Sequence, residues 1–148
     1  MSNLPTDKII SSFYSSSQDC VKVIDGDGML MSFNPHGLSM MEIDDESQVI
    51  GKAWLDFWRG DVQDKAATAL VKAQSGELAR FEGYCPTFKG TMKYWEVSIA
   101  PLFDDYGQLM WLLVISRDTT SQKELEKLAR KQSKRIEQLE QQLLVVRN

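Results

Sequence analysis

The apolar positions of the chain change period several times, and each change marks an element. Between Thr6 and Ser17, Ile9, Ile10, Phe13 and Tyr14 recur at the spacing of one helical face, and Pro5 stands where a helix start tolerates proline. The pattern predicts a short amphipathic helix, and the serines after Tyr14 read as its end and a linker. Cys20 to Asp25 alternates as a strand does, with Val21 and Val23 on one face. Asp25-Gly26-Asp27-Gly28 supplies positive φ for a hairpin turn, and Met29 to Phe33 is the return strand. Asn34-Pro35 ends that strand and starts a short helix. Further short helical pieces follow around Met40, Met41 and Ile43, then at Asp45 to Ile50 and Trp54 to Trp58, punctuated by Gly51 and Gly60. Val62, Ala66, Ala69, Leu70 and Ala73 form one stripe, so Val62 to Ser75 is a longer helix closed by Gly76.

Three longer alternating runs come next: Ala79 to Pro86, Met92 to Leu102 and Gln108 to Ser116. Turns at Thr87 to Gly90 and Asp104 to Gly107 separate them. A hairpin, a helical segment and a three-strand meander predict an α+β domain: a five-stranded antiparallel sheet with helices on one face.

From Gln122 a single heptad frame runs to the end of the chain. Its a positions are Gln122, Ala129, Ile136 and Leu143, and its d positions are Leu125, Gln132, Leu139 and Val146. Bulky residues gather after Ile136, which makes that end the stronger seam of a parallel coiled coil. Ser121 with Glu124 has the form of a capping box at the helix start. A helix folded back on its own domain is the other reading of the stripe.

The order of elements resembles the PAS fold. Asp25-Gly26-Asp27-Gly28 with Phe33-Asn34 resembles the family's opening hairpin, and Gly51-Lys52 its glycine after the second short helix. Ile99-Ala100-Pro101-Leu102 with Asp105-Tyr106-Gly107 resembles its last hairpin, and Arg117-Asp118-Thr119-Thr120 its exit into a signalling helix. Trp54 to Trp58, and Gly83 to Thr87 through Trp95, look most like the PAS domains at the front of bacterial sensor histidine kinases. The resemblance covers about residues 18 to 120, and together with the apolar pattern it divides the chain into an N-terminal cap helix (1–17), a sensory domain (18–118) and a dimerising helix (119–148). It implies a non-enzymatic sensory module that binds a small ligand or a partner and passes the result along the C-terminal helix. Asp118 and Thr119 are the expected hinge.

Aligned on Pro101 and Asp118, the inner sheet face carries Phe81, Gly83, Cys85, Trp95, Val97, Ile99, Leu112, Val114 and Ser116. Met41, Trp54, Phe57, Cys85, Trp95, Val97, Val114 and Ser116 are the expected pocket residues, suited to a small apolar or aromatic ligand. The same aromatic cluster, with Trp58, is also what a filled core looks like, which leaves a ligand-free dimerisation module as the alternative. Tyr94 and Trp111 fall on the outer face, an apolar addition that predicts a covering helix or second chain.

Chemistry narrows the picture. Light-oxygen-voltage domains, a flavin-binding branch of the family, carry a reactive cysteine where Trp54 stands, and their polar flavin contacts fall on Cys85, Trp95 and Ser116. None of these has an amide's paired donor and acceptor. The long helix offers haem no histidine; His36 is the single histidine and lies on an early short helix. Neither cofactor is therefore expected, and no metal: Cys20 and Cys85 lack ligand spacing. Asp44-Asp45 and Asp104-Asp105 sit in cap and turn contexts, and no phosphate loop exists. With 148 residues, 43% hydrophobic and 26% charged, the composition is that of a globular domain with an appendage. The net charge of −4 divides into +3 on residues 119–148 and −7 on the rest, and an acidic body argues against a nucleic-acid partner. No apolar run reaches about 18 residues and no secretory leader is legible, so a cytoplasmic protein is expected, with a kinase or similar effector fused or separate.

Overall fold

The computed structural model describes residues 5–147. Residues 1–4 of the expected N-terminal cap lie outside the described residues, as does Asn148. Residues up to Asp118 form one compact unit and those from Thr119 a second.

In the first unit, helix α1 (Thr6–Ser16) is followed by the hairpin of β1 (Cys20–Asp25) and β2 (Leu30–Phe33). Asp25 makes the turn: its Oδ1 accepts from Asp27 N at 2.9 Å and Met29 N at 3.0 Å, and Gly28 takes φ +86°. Helix α2 (Pro35–Met40) and short 3-10 turns at Glu46–Gln48 and Trp54–Phe57 lead to α3 (Gly60–Gln74). Strands β3 (Ala79–Pro86), β4 (Met92–Phe103) and β5 (Leu109–Asp118) complete one antiparallel sheet of order β2-β1-β5-β4-β3. Pro101 sits inside β4 without cost, because β3 pairs only as far as Ile99 and leaves that edge open.

Helix α3 buries Ala66, Ala69, Leu70 and Ala73. Its approach to β3 is close: a Cβ on Gly83 would come within 2.5 Å of Val62 Cγ1. Only glycine lets helix and strand meet there.

Three differences from the sequence reading are physical. Met29 leaves the β2 ladder and bridges Ala53, so the hairpin is extended sideways by the segment before Trp54. The valines of β1 mark its outer face, and Cys20, Lys22 and Ile24 turn inward, opposite Ser116, Val114 and Leu112. Strand β5 continues past Ser116, pairing Arg117 with Glu96 and Asp118 with Trp95.

The second unit is one helix, α4 (Thr120–Arg147). It starts one residue before Ser121, so the expected capping box is not the cap. Thr119 holds that place, its carbonyl accepting from Lys123 N at 3.0 Å. None of the residues of α4 is buried, and Ile136, Leu139, Leu143 and Val146 are 56%, 43%, 59% and 83% exposed.

Candidate functional site

Between the inner sheet face and the short helices lies a cavity lined by Lys22, Phe33, Met41, Trp54, Phe57, Trp58, Cys85, Trp95 and Ser116. Each wall has a backbone reason to be there. Trp54 is pinned by the Met29–Ala53 bridge and by its own N–H donating to Gly28 O at 2.9 Å. Met41 ends α2, and its carbonyl accepts from Phe88 N at 2.8 Å, which ties it to the β3–β4 turn. Trp95 faces inward from β4, and its Nε1–H donates to Cys85 O at 3.1 Å.

The aromatic rings pack edge to face. Centroid separations are 5.9 Å for Trp54–Trp58, 5.9 Å for Trp54–Phe81 and 5.0 Å for Trp58–Phe81. Such pairs add about 0.5–1.5 kcal/mol each beyond their burial. The cavity they leave measures about 20 Å³, the size of a single water site.

Of the residues expected from the sequence, Met41, Trp54, Phe57, Cys85, Trp95 and Ser116 come together on this cavity. Val97 and Val114 are buried in the adjoining core without lining it. The sequence reading missed Lys22 and Phe33. Lysine between two valines reads as a solvent-facing position; the signal that pointed inward was Cys20 and Ile24, two residues to either side.

Lys22 is 6% exposed. Its Nζ donates to Ser116 Oγ at 3.0 Å and to Cys20 Sγ at 3.3 Å, and stands 5.6 Å from the centre of the Phe33 ring. Cys85 donates its thiol to Phe57 O at 3.0 Å. Burial pushes that thiol up to about 11, against a smaller opposing effect of Lys22, so it is a neutral thiol rather than a thiolate. Among the described residues, no cluster of metal-ligating side chains occurs, and no helix is long and apolar enough to cross a membrane.

A second group of residues connects the cavity with the end of the sheet. Lys93, on the same face as Trp95, donates to Met40 O at 2.9 Å, stands 5.8 Å from the centre of the Trp95 ring and lies 3.5 Å from Asp118 Oδ2. Asp118 is the last strand residue, and Thr119 alone separates it from α4.

This architecture is widely shared. The PAS domain of a protein from Colwellia psychrerythraea superposes with TM-score 0.69 at 18% identity, covering 78% of this chain and 98% of that one. A domain of the sensory box sensor histidine kinase/response regulator from Geobacter sulfurreducens does so with TM-score 0.65 at 23% identity, covering 76% and 94%. An RNA-binding light-oxygen-voltage receptor gives TM-score 0.72 at 18% identity, covering 88% of this chain and 40% of that one. No curated protein matches the chain significantly. The sequence profile described as PAS fold matches residues 14–124, well over half of the chain, and on that match the chain belongs to the PAS-fold family.

Proposed function

We infer that this protein is a non-catalytic sensory module in which occupancy of the Trp54–Trp95 cavity is passed to the C-terminal helix of a homodimer. The observation that carries this reading is the Lys93 link. One ammonium touches the carbonyl of Met40 beside the cavity, stands against the Trp95 ring that walls it, and pairs with the strand-end carboxylate of Asp118. A ligand that displaces Trp95 or Met41 acts on Asp118 through groups already in contact, and a signal needs such differential contacts. The similarity to a sensor histidine kinase domain supports an output of that class.

A second reading is favoured by the cavity volume of about 20 Å³, small beside the several hundred Å³ of a preformed ligand site. Under it the domain is an interaction module whose aromatic cluster is core. No flavin is expected on either reading, because Trp54 stands where light-oxygen-voltage domains carry their cysteine. The two readings separate on freshly purified protein examined by native mass spectrometry and absorbance. The sensory reading expects dimers, a fraction of them carrying a small molecule, and no flavin or Soret band. Dimers that never carry one, and that accept none from a panel of small aromatic compounds, would leave the interaction module.

A further inference from the structure

The donors around the cavity outnumber the acceptors, and their excess is cationic. Lys22 is more than nine-tenths buried, and among the described residues no carboxylate lies within ion-pairing distance of it. Its partners are a hydroxyl and a sulfur. Ser116 Oγ accepts from Lys22 and so keeps its own proton to donate. Trp58, also on the cavity wall, has a buried Nε1–H with no acceptor. Cys85 directs its proton to Phe57 O, and as a neutral thiol it supplies no negative charge to the lysine. A buried ammonium without an anion is costly, and a buried donor without an acceptor adds to the cost.

We propose that the ligand of this cavity is a small anion, a monocarboxylate with an aromatic or short apolar body, whose carboxylate is received by Lys22 and Ser116, with the Trp58 indole N–H as a further donor. The inference rests on the sensory reading above and names its ligand class. A carboxylate brings the acceptor lone pairs that this group of donors lacks. The rings of Phe33, Trp54 and Trp95 supply stacking surface for the body. With about 20 Å³ free at the start, entry separates the half-buried Phe57 and the end of α2 from the sheet, the displacement that reaches Lys93 and Asp118.

The test titrates the whole chain with benzoate and phenylacetate, and with benzamide and phenylacetamide as neutral counterparts, at constant ionic strength. Tryptophan fluorescence and melting temperature are the readouts. The acids are expected to bind saturably and about ten- to a hundredfold more tightly than the amides, the range of a hydrogen bond to a charged group. Lys22→Met is expected to erase that preference, weakening the acids about ten- to a hundredfold and the amides by a smaller factor, since an amide carbonyl also accepts from the ammonium. Without ligand, it should melt at or above the wild-type temperature, since an uncompensated charge has been removed. Ser116→Ala, which deletes only a hydroxyl, provides the second variant: acids and amides both weaken, the acids by the larger factor. Acids and amides binding the wild type equally would overturn the anion and leave a ligand pocket standing. An acid preference that survives in both variants would overturn the site. If neither acids nor amides bind, and the purified protein carries no small molecule, both this inference and the sensory reading fall.

Discussion

Asn34 is fully buried and holds together three parts of the domain. Its Oδ1 accepts from Val21 N at 2.9 Å and from Gly37 N at 3.0 Å, so one atom both joins β1 and caps α2. Its Nδ2 donates to Asp19 O at 3.0 Å. Asn34→Ala strands two buried N–H donors and takes the partner from the part-buried carbonyl of Asp19, and each buried loss costs of the order of 1–3 kcal/mol. The expected penalty is about 3 kcal/mol, or roughly 10 °C in melting temperature for a domain of this size. A loss under about 1 kcal/mol in urea denaturation would show that water replaces the side chain. The position of Asn34 at the strand end was legible in the sequence; its double acceptor role was not, because Val21 and Gly37 meet it only once the chain folds. The cavity residues divide in the same way. Cys85, Trp95 and Ser116 follow from strand alternation counted back from Pro101 and Asp118, since residues two apart share a face. Lys22 resisted the same logic because β1 is buried on both faces, with Val21 at 3% exposure and Ile24 at 0%, and alternation loses its meaning where both faces are covered.

At the scale of elements, strands were legible almost to the residue, as were the starts of α1 at Thr6 and α2 at Pro35, whereas the starts of α3 and α4 were not. Helix α3 begins at Gly60 rather than Val62, because its first turn is polar and carries no stripe to detect. What favours it is Asp61 beside the positive end of the helix dipole. Helix α4 shows the opposite case, a long apolar stripe on a helix none of whose residues is buried. Its 28 residues bury none of their side chains, and a heptad seam of Leu125, Ala129, Ile136, Leu139, Leu143 and Val146 remains. Exposed apolar seams of this length are association surfaces. A parallel dimer is expected through that seam. Leu139→Asp combined with Leu143→Asp places charges opposite one another at the centre of the seam, where burial without a partner is prohibitive. Analytical ultracentrifugation at micromolar concentration is expected to give dimers for the wild type and monomers for the double variant. A wild type that sediments as a monomer would refute the seam.

At the scale of the whole molecule, the proposed route from the cavity to the strand end is short. Ser116 lies two residues before Asp118 on the same strand and face, and Trp95 is directly opposite Asp118 in the ladder. Lys93 then binds the carboxylate of Asp118 while resting against Trp95. On the proposed reading, a displacement at the cavity changes how Asp118 is held, and Thr119, whose carbonyl opens the hydrogen bonding of α4, is the next residue. Asp118→Ala removes the receiving carboxylate and leaves the ladder intact, since strand pairing at Asp118 uses the backbone. The ion pair is half-buried, so its loss is expected to cost about 1 kcal/mol or less. The coupling should fail altogether. With an effector joined after Asn148, the wild type is expected to change output when ligand is added, and the variant to hold one fixed level while binding the ligand with near-normal affinity. Lys93→Met, which takes away the other half of the pair, should behave alike, and a double variant should be no worse than either single one, because both changes cut the same connection. Were Asp118→Ala to signal as the wild type does, or to unfold the domain, the strand end could not be the point at which the cavity acts on the helix.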